Sequence, residues 1–289
     1  MNYLKWISKN TSSLAGKRVV ISGATGGIGQ ELCHLLCGLS ASLILLDRNS
    51  EKSLALKAKL KESYPDADIT HLRADMSDMC SVKEAAKTLL TMEIDYLILN
   101  AGAYSISRCI CDSGYDNVFQ INFVSPYYLA RQLLPGIRKR GGRVIAVGSI
   151  AHNYSKIDER DIDFRERRKA SLVYGNAKRF LTYSLLDLSL GDVIVAHPGI
   201  SFTGITNHYP PLVFTLIKHP MKIIFMKPRT ACLSILYGIF ADCGSDCWIG
   251  PGLFDVWGMP RVKRLNTATK DERAKICAIT EEIYNKTNK

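Results

Sequence analysis

Apolar residues along this chain follow two rhythms that take turns. Short runs rich in branched side chains, Arg18–Ser22, Ser42–Asp47, Asp68–Arg73, Asp95–Asn100, Arg143–Ser149 and Asp192–His197, read as strands. Between them the apolar positions repeat with helical spacing. Ile28, Leu32, Leu35, Leu36 and Leu39 form one stripe, and further helices are predicted over Glu51–Glu62, Ser81–Thr91, Tyr115–Arg140, Leu172–Ser189, Pro228–Ala241 and Lys270–Asn285. Strands that are apolar throughout, alternating with helices, predict an α/β fold with a doubly wound parallel sheet and helices on both faces. No internal repeat or linker divides the chain, so residues 1–289 read as a single domain. Two stretches break the alternation: the highly charged Ile150–Ser171 and Gly199–Lys227, which contains Tyr209-Pro210-Pro211 and His219-Pro220. Loops of that length in a compact domain are usually functional.

The first strand ends in an unusual way. "VVISGATGGIGQE" (Val19 to Glu31) puts four glycines, Gly23, Gly26, Gly27 and Gly29, into seven positions and then opens a helix. Glycine weakens strands and helices alike, so its concentration here implies that something must approach the main chain closely. A helix N-terminus offers unpaired N–H groups and partial positive charge, which together bind pyrophosphate. Strand, glycine turn and helix form the dinucleotide-binding arrangement of a Rossmann-type domain. At the end of the second strand stands Asp47, able to accept hydrogen bonds from adenosine ribose hydroxyls and to repel a 2′-phosphate. Arg48 follows it and can pair with such a phosphate. With no Lys or Arg between Gly23 and Gly29, the reading favours NAD, with NADP the alternative.

Composition changes this picture little. The chain is 47% hydrophobic and 22% charged, as expected of a globular protein. A net charge of +11 raises the question of nucleic acid, but the basic residues are dispersed and no nucleic-acid-binding motif is present, so no nucleic-acid partner is expected. Nine cysteines are scattered without metal-ligand spacing; Cys33, Cys37, Cys232 and Cys277 fall in apolar-periodic segments and read as core thiols, and Cys109/Cys111 and Cys243/Cys247 complete no zinc site. With Lys5 and Lys9 where a signal peptide would be apolar, the reading is a reducing, cytoplasmic setting and no metal.

The glycine spacing Gly23-x-x-x-Gly27-x-Gly29, with the residues that follow, resembles the short-chain dehydrogenase/reductase family. In that resemblance Thr25 and Ile28 belong to the cofactor turn, Asp75-Met76 flank the adenine, and Asn100, Ala101 and Gly102 form the motif that lines the cofactor after the fourth strand. Tyr174 and Lys178 match the family's catalytic pair. Four residues apart, they lie on one face of a helix, where a lysine ammonium lowers the pKa of a phenol that is ordinarily near ~10. Tyr174 is then expected to exchange a proton with the substrate oxygen. Lys178 is expected to hold the nicotinamide ribose, Ser149 to hold the substrate oxygen, and Asn122 to serve a proton relay. Gly148 stands where the family often has a first serine. "HPGISFT" resembles the family's PGxxxT, with Pro198, Gly199, Ile200 and Thr203 shaping the nicotinamide pocket. The 25-residue separation of Ser149 and Tyr174, with Ala151-His152 opening the loop, resembles the retinol-dehydrogenase-like branch.

These resemblances imply an enzyme that interconverts an alcohol and its carbonyl. The apolar stretch 199–227 is read as a lid over a bulky, lipophilic, steroid- or retinoid-like substrate, with a peripheral membrane contact through Lys218 and Lys222 or a homo-oligomer contact as the competing readings. His152 is expected to be near Ser149, with contact to substrate as one option, and His197 to be structural. The alternative to an enzyme is a catalytically silent dinucleotide-binding sensor or scaffold.

Overall fold

A computed structural model describes residues 3–200 and 226–288. Eight strands form one sheet in the order β3-β2-β1-β4-β5-β6-β7-β8. They are β1 (Arg18–Ser22), β2 (Ser42–Asp47), β3 (Ile69–Arg73), β4 (Tyr96–Leu99), β5 (Arg143–Val147), β6 (Val193–Ala196), β7 (Cys247–Leu253) and β8 (Trp257–Arg264). β1 to β6 pair in parallel, as predicted, β7 joins β6 in parallel, and β8 returns antiparallel along β7. The helices are α1 (Tyr3–Asn10), α2 (Gly27–Gly38), α3 (Ser50–Ser63), α4 (Met79–Leu90), α5 (Asn117–Phe119), α6 (Ser125–Lys139), α7 (Ala170–Asp187), α8 (Pro228–Phe240) and α9 (Lys270–Asn288). A π-turn over Gln120–Val124 joins α5 to α6, within what the sequence reads as one helix over 115–140.

Because side chains alternate along a strand, each strand feeds two cores. Val20, Leu97, Val144 and Val195 face α4, α6, α7 and α9, whereas Ile21, Ile98, Ile145 and Ile194 face α2, α3 and α8. The chain reverses direction across the sheet between β1 and β4, which opens a crevice at their C-terminal ends, the usual ligand position in such sheets. At the opposite end Asp95 accepts bonds from the Lys17 ammonium (3.0 Å) and the Arg18 N–H (3.0 Å), which fixes the start of β1.

Three elements differ from the sequence reading. α1 escapes it because it is only eight residues long; its Trp6 is buried and packs edge-on against Tyr237 of α8, centroids 5.4 Å apart. β7 and β8 escape it because "WIGPGLFDVWGMP" carries glycine and proline, which argue against strands. Pro251 and Pro260 face each other at the outer pair of the sheet, where the missing N–H groups are tolerated. A disulfide joins Cys243 to Cys247 where the chain enters β7, whereas the sequence reading treats these thiols as unpaired; the turn brings their Cα atoms to 5.5 Å. Cys33, Cys37 and Cys232 are buried thiols as expected, and Cys277 is half-buried. No helix among the described residues is long and apolar enough to cross a membrane.

Candidate active site

The glycine turn is built as its composition demands. Gly23 has φ +67°, and a Cβ on it would lie 2.8 Å from the Ala101 Cα. A Cβ on Gly29 would overlap the Gly23 carbonyl and come within 2.8 Å of the Ala24 oxygen. α2 begins at Gly27 behind Gly26, which gives no side-chain cap, so its first N–H groups face outward beside the exposed Gly26 and Gly27. Ile28 is half-buried in the first turn of α2. A close-approach backbone and an uncapped helix N-terminus fit the pyrophosphate of a dinucleotide.

Neighbouring side chains brace this turn. The Asn100 amide donates to the Ser22 and Gly23 carbonyls (3.1 and 2.9 Å), and the Ser22 hydroxyl accepts from the Asn100 and Ala101 N–H groups (3.1 Å each). Asp47 is buried. Its carboxylate accepts from the Thr25 hydroxyl (3.1 Å), the Thr25 N–H (3.4 Å) and the Ser53 hydroxyl (3.0 Å), and burial raises its pKa. Arg48, by contrast, is exposed. The Asp75 carboxylate accepts from the Ser77 N–H (2.9 Å) and hydroxyl (2.6 Å), and the Met76 carbonyl accepts from Ser125 (2.7 Å), so the end of β3 is tied to α6.

Ser149, Tyr174 and Lys178 come together past the end of β5. Burial pushes the Tyr174 phenol up to about 12, the adjacent Ser149 hydroxyl pulls it partly back, and Tyr104 adds a smaller upward push. The Tyr104 ring stands edge-on to Tyr174 with centroids 5.4 Å apart, a neighbour that nothing in the sequence motif announces. Lys178 is buried. Its ammonium lies 5.7 Å from the Tyr174 ring centroid and donates to the Val147 carbonyl (2.8 Å), and burial lowers its pKa to about 7. The sequence argument expects the ammonium to lower the phenol's pKa. In this structure the shifts run the other way: partial burial raises the phenol, full burial lowers the ammonium, and no pull of Lys178 on Tyr174 offsets either.

Asn122 sits on the π-turn, fully buried. Its amide donates to the Val118 (2.8 Å) and Ala103 (2.7 Å) carbonyls, and its oxygen accepts from the Ala103 N–H (3.3 Å). It thereby clamps the 100–103 turn to the helix. A Cβ on Gly102 would meet the Asn122 oxygen at 2.8 Å and lie 3.8 Å from the Lys178 ammonium, so Asn122 and Lys178 meet at this glycine.

The charged 150–171 loop is folded onto α5 and α7. Arg108 donates to the Asp116 carboxylate (2.6 Å) and to the Arg167 and Phe164 carbonyls (2.9 and 3.0 Å), and Asn176 donates to the Ile162 carbonyl (2.7 Å). Phe164, Leu172, Val173 and Ile106 then form a small apolar cluster around Tyr174. His152 is 1% exposed, which removes it from direct substrate contact, because its ring is turned into the core. His197 is buried and stacked on Trp248 with centroids 5.7 Å apart, a structural placement as expected. Pro198 and Gly199 are buried, and Ile200 accepts a bond from the Met226 N–H (2.8 Å). Thr203 and residues 201–225 of the 199–227 segment, including Lys218 and Lys222, lie outside the described residues.

Comparison with known proteins bears directly on this arrangement. The short chain dehydrogenase family model matches residues 17–158, the span from β1 through the glycine turn to Ser149 and beyond. Over that span, just under half of its length, the chain is similar to the short-chain dehydrogenase/reductase family. An uncharacterized oxidoreductase of Schizosaccharomyces pombe is 27% identical over 82% of this chain and 76% of its own length. The polyprenol dehydrogenase of Mus musculus is 23% identical over 78% and 72% respectively. Among solved structures, an uncharacterized protein from Mycobacterium paratuberculosis superposes with a TM-score of 0.71 at 22% identity, covering 97% of this chain and 95% of that one. The NADP complex of RhlG from Pseudomonas aeruginosa superposes at 0.60 with 24% identity, covering 78% and 91%. The chain is therefore an oxidoreductase with the NAD(P)-dependent fold of this short-chain dehydrogenase/reductase family.

The departure at Gly148 has a steric reason. A Cβ there would lie 2.7 Å from Val195 Cγ1 and 2.8 Å from the Trp248 ring. Restoring the family's serine with Gly148→Ser is expected to destabilise the protein by roughly 1–3 kcal/mol, as overpacking does, which chemical denaturation of the two proteins would measure.

Proposed function

We propose that this enzyme reduces and oxidises a carbonyl/alcohol pair by hydride exchange with a nicotinamide dinucleotide. The observation that carries the reading is the meeting of Tyr174, Ser149 and Lys178 at the sheet end that also holds the uncapped α2 N-terminus. A bound nicotinamide supplies or accepts the hydride. Ser149 holds the substrate oxygen, and Tyr174 passes a proton to it. With its pKa near about 12, the phenol is protonated at neutral pH and ready to donate as a carbonyl is reduced. Lys178 holds the ribose and keeps positive charge beside the phenol. Asn122 serves the relay behind Lys178 through the turn that it clamps. Pro198, Gly199, Ile200 and Thr203 shape the nicotinamide end, and Asp75, Met76, Asn100, Ala101 and Gly102 line the adenosine side.

The dinucleotide choice follows from the two neighbours at the end of β2. Asp47 is committed to Thr25 and Ser53, and Arg48 is exposed, an arrangement that favours NADP over the NAD expected from sequence. Arg48→Ala is expected to raise the KM for NADP about tenfold, at roughly 1.4 kcal/mol per factor of ten, and to leave NAD kinetics unchanged. An unaltered NADP/NAD ratio would remove Arg48 from this role.

The substrate class in this reading is a bulky, apolar alcohol or carbonyl. The apolar cluster about Tyr174, the sequence of the 199–227 segment and the relative named polyprenol dehydrogenase support it. Turnover is to be followed at 340 nm across short- and long-chain aldehydes, ketones and alcohols with both dinucleotides. Oxidation or reduction of long-chain substrates is the expected result, and dinucleotide binding without turnover of any of them would favour a sensor or scaffold instead.

A further inference from the structure

We propose that His152 is a positioning residue that sets the orientation of Ser149 through its backbone, and that the segment after β8 completes this device. The inference rests on the role given to Ser149 in the preceding reading. Ser149 caps the short 3-10 helix Ile150–Tyr154, with its hydroxyl accepting from the Ala151 N–H at 3.2 Å. Its carbonyl receives two bonds from a single residue, the His152 N–H at 3.1 Å and the His152 ring Nδ1 at 2.6 Å. The other ring nitrogen, Nε2, lies 2.8 Å from the Thr267 hydroxyl, which in turn bonds the Tyr183 hydroxyl.

The direction of these bonds is fixed by what each atom can do. A carbonyl only accepts, so His152 Nδ1 carries the proton. Burial holds the imidazole pKa down, the ring is neutral, and Nε2 must accept. Thr267 therefore donates to it and uses its oxygen to accept from Tyr183. One chain of donors runs Tyr183, Thr267, His152, Ser149, and it selects a single tautomer.

The surroundings leave the ring little freedom. It meets Trp248 edge-on at 5.1 Å between centroids, and Trp248, with Val195, excludes a side chain at position 148. Arg179, the neighbour of Lys178, donates to the carbonyls of His152 (2.9 Å) and Thr267 (3.0 Å) and pairs with Glu272 of α9 (2.7 and 2.6 Å). One guanidinium on the helix of Tyr174 and Lys178 thus grips the two middle members of the chain. The hydroxyl of Ser149 and the phenol of Tyr174 are referred to a common frame, which is what proton transfer between fixed partners requires.

Two measurements test this with intact protein. Histidine-selective 15N NMR, with the His152 signals assigned by their loss in His152→Asn, is expected to show a neutral ring protonated at Nδ1; a ring protonated at Nε2 would overturn the proposal. In kinetics, with decanal and NADPH as the probe reaction, His152→Phe keeps the ring packing but removes both nitrogens. It is expected to lower kcat 10- to 100-fold with the KM for NADPH unchanged, and His152→Asn, which keeps a donor for the Ser149 carbonyl, is expected to recover part of the loss. The same His152→Phe change in a Ser149→Ala enzyme is expected to cost less than about 2-fold, because its effect acts through a hydroxyl no longer present. A full repeat of the loss in that background would make His152 merely structural. Should His152→Phe fail to fold, Thr267→Val against Thr267→Ser makes the same cycle one link further along the chain. A wild-type enzyme inert towards decanal would count against the proposed activity, and the tautomer would still decide the positioning role.

Discussion

Tyr174→Phe is expected to lower turnover by roughly three orders of magnitude or more while dinucleotide affinity changes less than about twofold. Phenylalanine keeps the ring that packs edge-on against Tyr104 and stays within the Val173, Leu172 and Phe164 cluster, so the fold has no reason to respond. What disappears is the hydroxyl beside Ser149 that is proposed to deliver a proton to an alkoxide forming there. General acid–base catalysis contributes typically ~10²–10⁴-fold, and the loss should fall on kcat, since the hydroxyl acts on the reacting oxygen more than on bound dinucleotide. Stopped-flow turnover together with fluorescence titration of NADPH separates the two quantities. A variant that keeps a tenth or more of wild-type turnover would disqualify the phenol as the acid. The ionisations give a companion signature. With Lys178 brought down to about 7 by burial and Tyr174 raised to about 12, kcat/KM for carbonyl reduction is expected to fall as pH rises through about 7, where the neighbouring amine loses its charge while the phenol remains protonated. A profile flat to pH 9 would separate Lys178 from the proton step.

Much of this site was legible in the sequence because its constraints are local. Gly23 and Gly29 sit where a Cβ would strike backbone atoms that a tight turn must bring close, so composition alone announces the turn. Tyr174 and Lys178 lie one helical turn apart, and six parallel strands follow from uninterrupted apolar runs. What stayed hidden depends on contacts between distant segments. Asp47 stands at a legible strand end, but the hydroxyls of Ser53 and Thr25 that donate to it are seen only in the fold. His152 reads as a loop residue near substrate until Thr267, 115 residues away, is seen to hold its far nitrogen. Tyr104 meets Tyr174 across 70 positions of sequence, next to the 100–103 turn that Asn122 clamps. The full burial of Lys178 is likewise invisible in a motif, since a spacing of four residues gives proximity without burial.

That desolvation leads to the second large effect. Lys178→Met is expected to abolish turnover and at the same time make the protein more stable at neutral pH. The buried ammonium has the Val147 carbonyl as a hydrogen-bond acceptor and, among the described residues, no carboxylate that offsets its burial, and its pKa drops from 10.5 to about 7. At roughly 1.4 kcal/mol per pKa unit, the charged form costs the folded state up to about 5 kcal/mol. Removing the donor leaves the Val147 carbonyl unpaired, which returns about 1–3 kcal/mol of that gain. The net expectation is a rise of several degrees in Tm at pH 6 to 7, at about 2–4 °C per kcal/mol for a chain of this size. The sign of the pH dependence is fixed by linkage. Between about 7 and 10.5 the unfolded chain holds a proton on Lys178 that the folded chain has released, so wild-type stability from this group rises with pH across that window and is constant below it. Groups shared by both proteins cancel in the comparison. The advantage of Lys178→Met is therefore greatest at or below pH 7 and shrinks towards pH 10, where the lysine is neutral in both states. Differential scanning calorimetry of the two proteins at pH 6, 8 and 10 checks the trend. A variant less stable than wild type at pH 6, or a gap that widens with pH, would mean that the ammonium is compensated by charge elsewhere and that its burial is not the cost assigned to it. The expected outcome instead marks Lys178 as a residue that the fold tolerates for chemistry: stability is given up at the one position where an ammonium must stand beside the phenol.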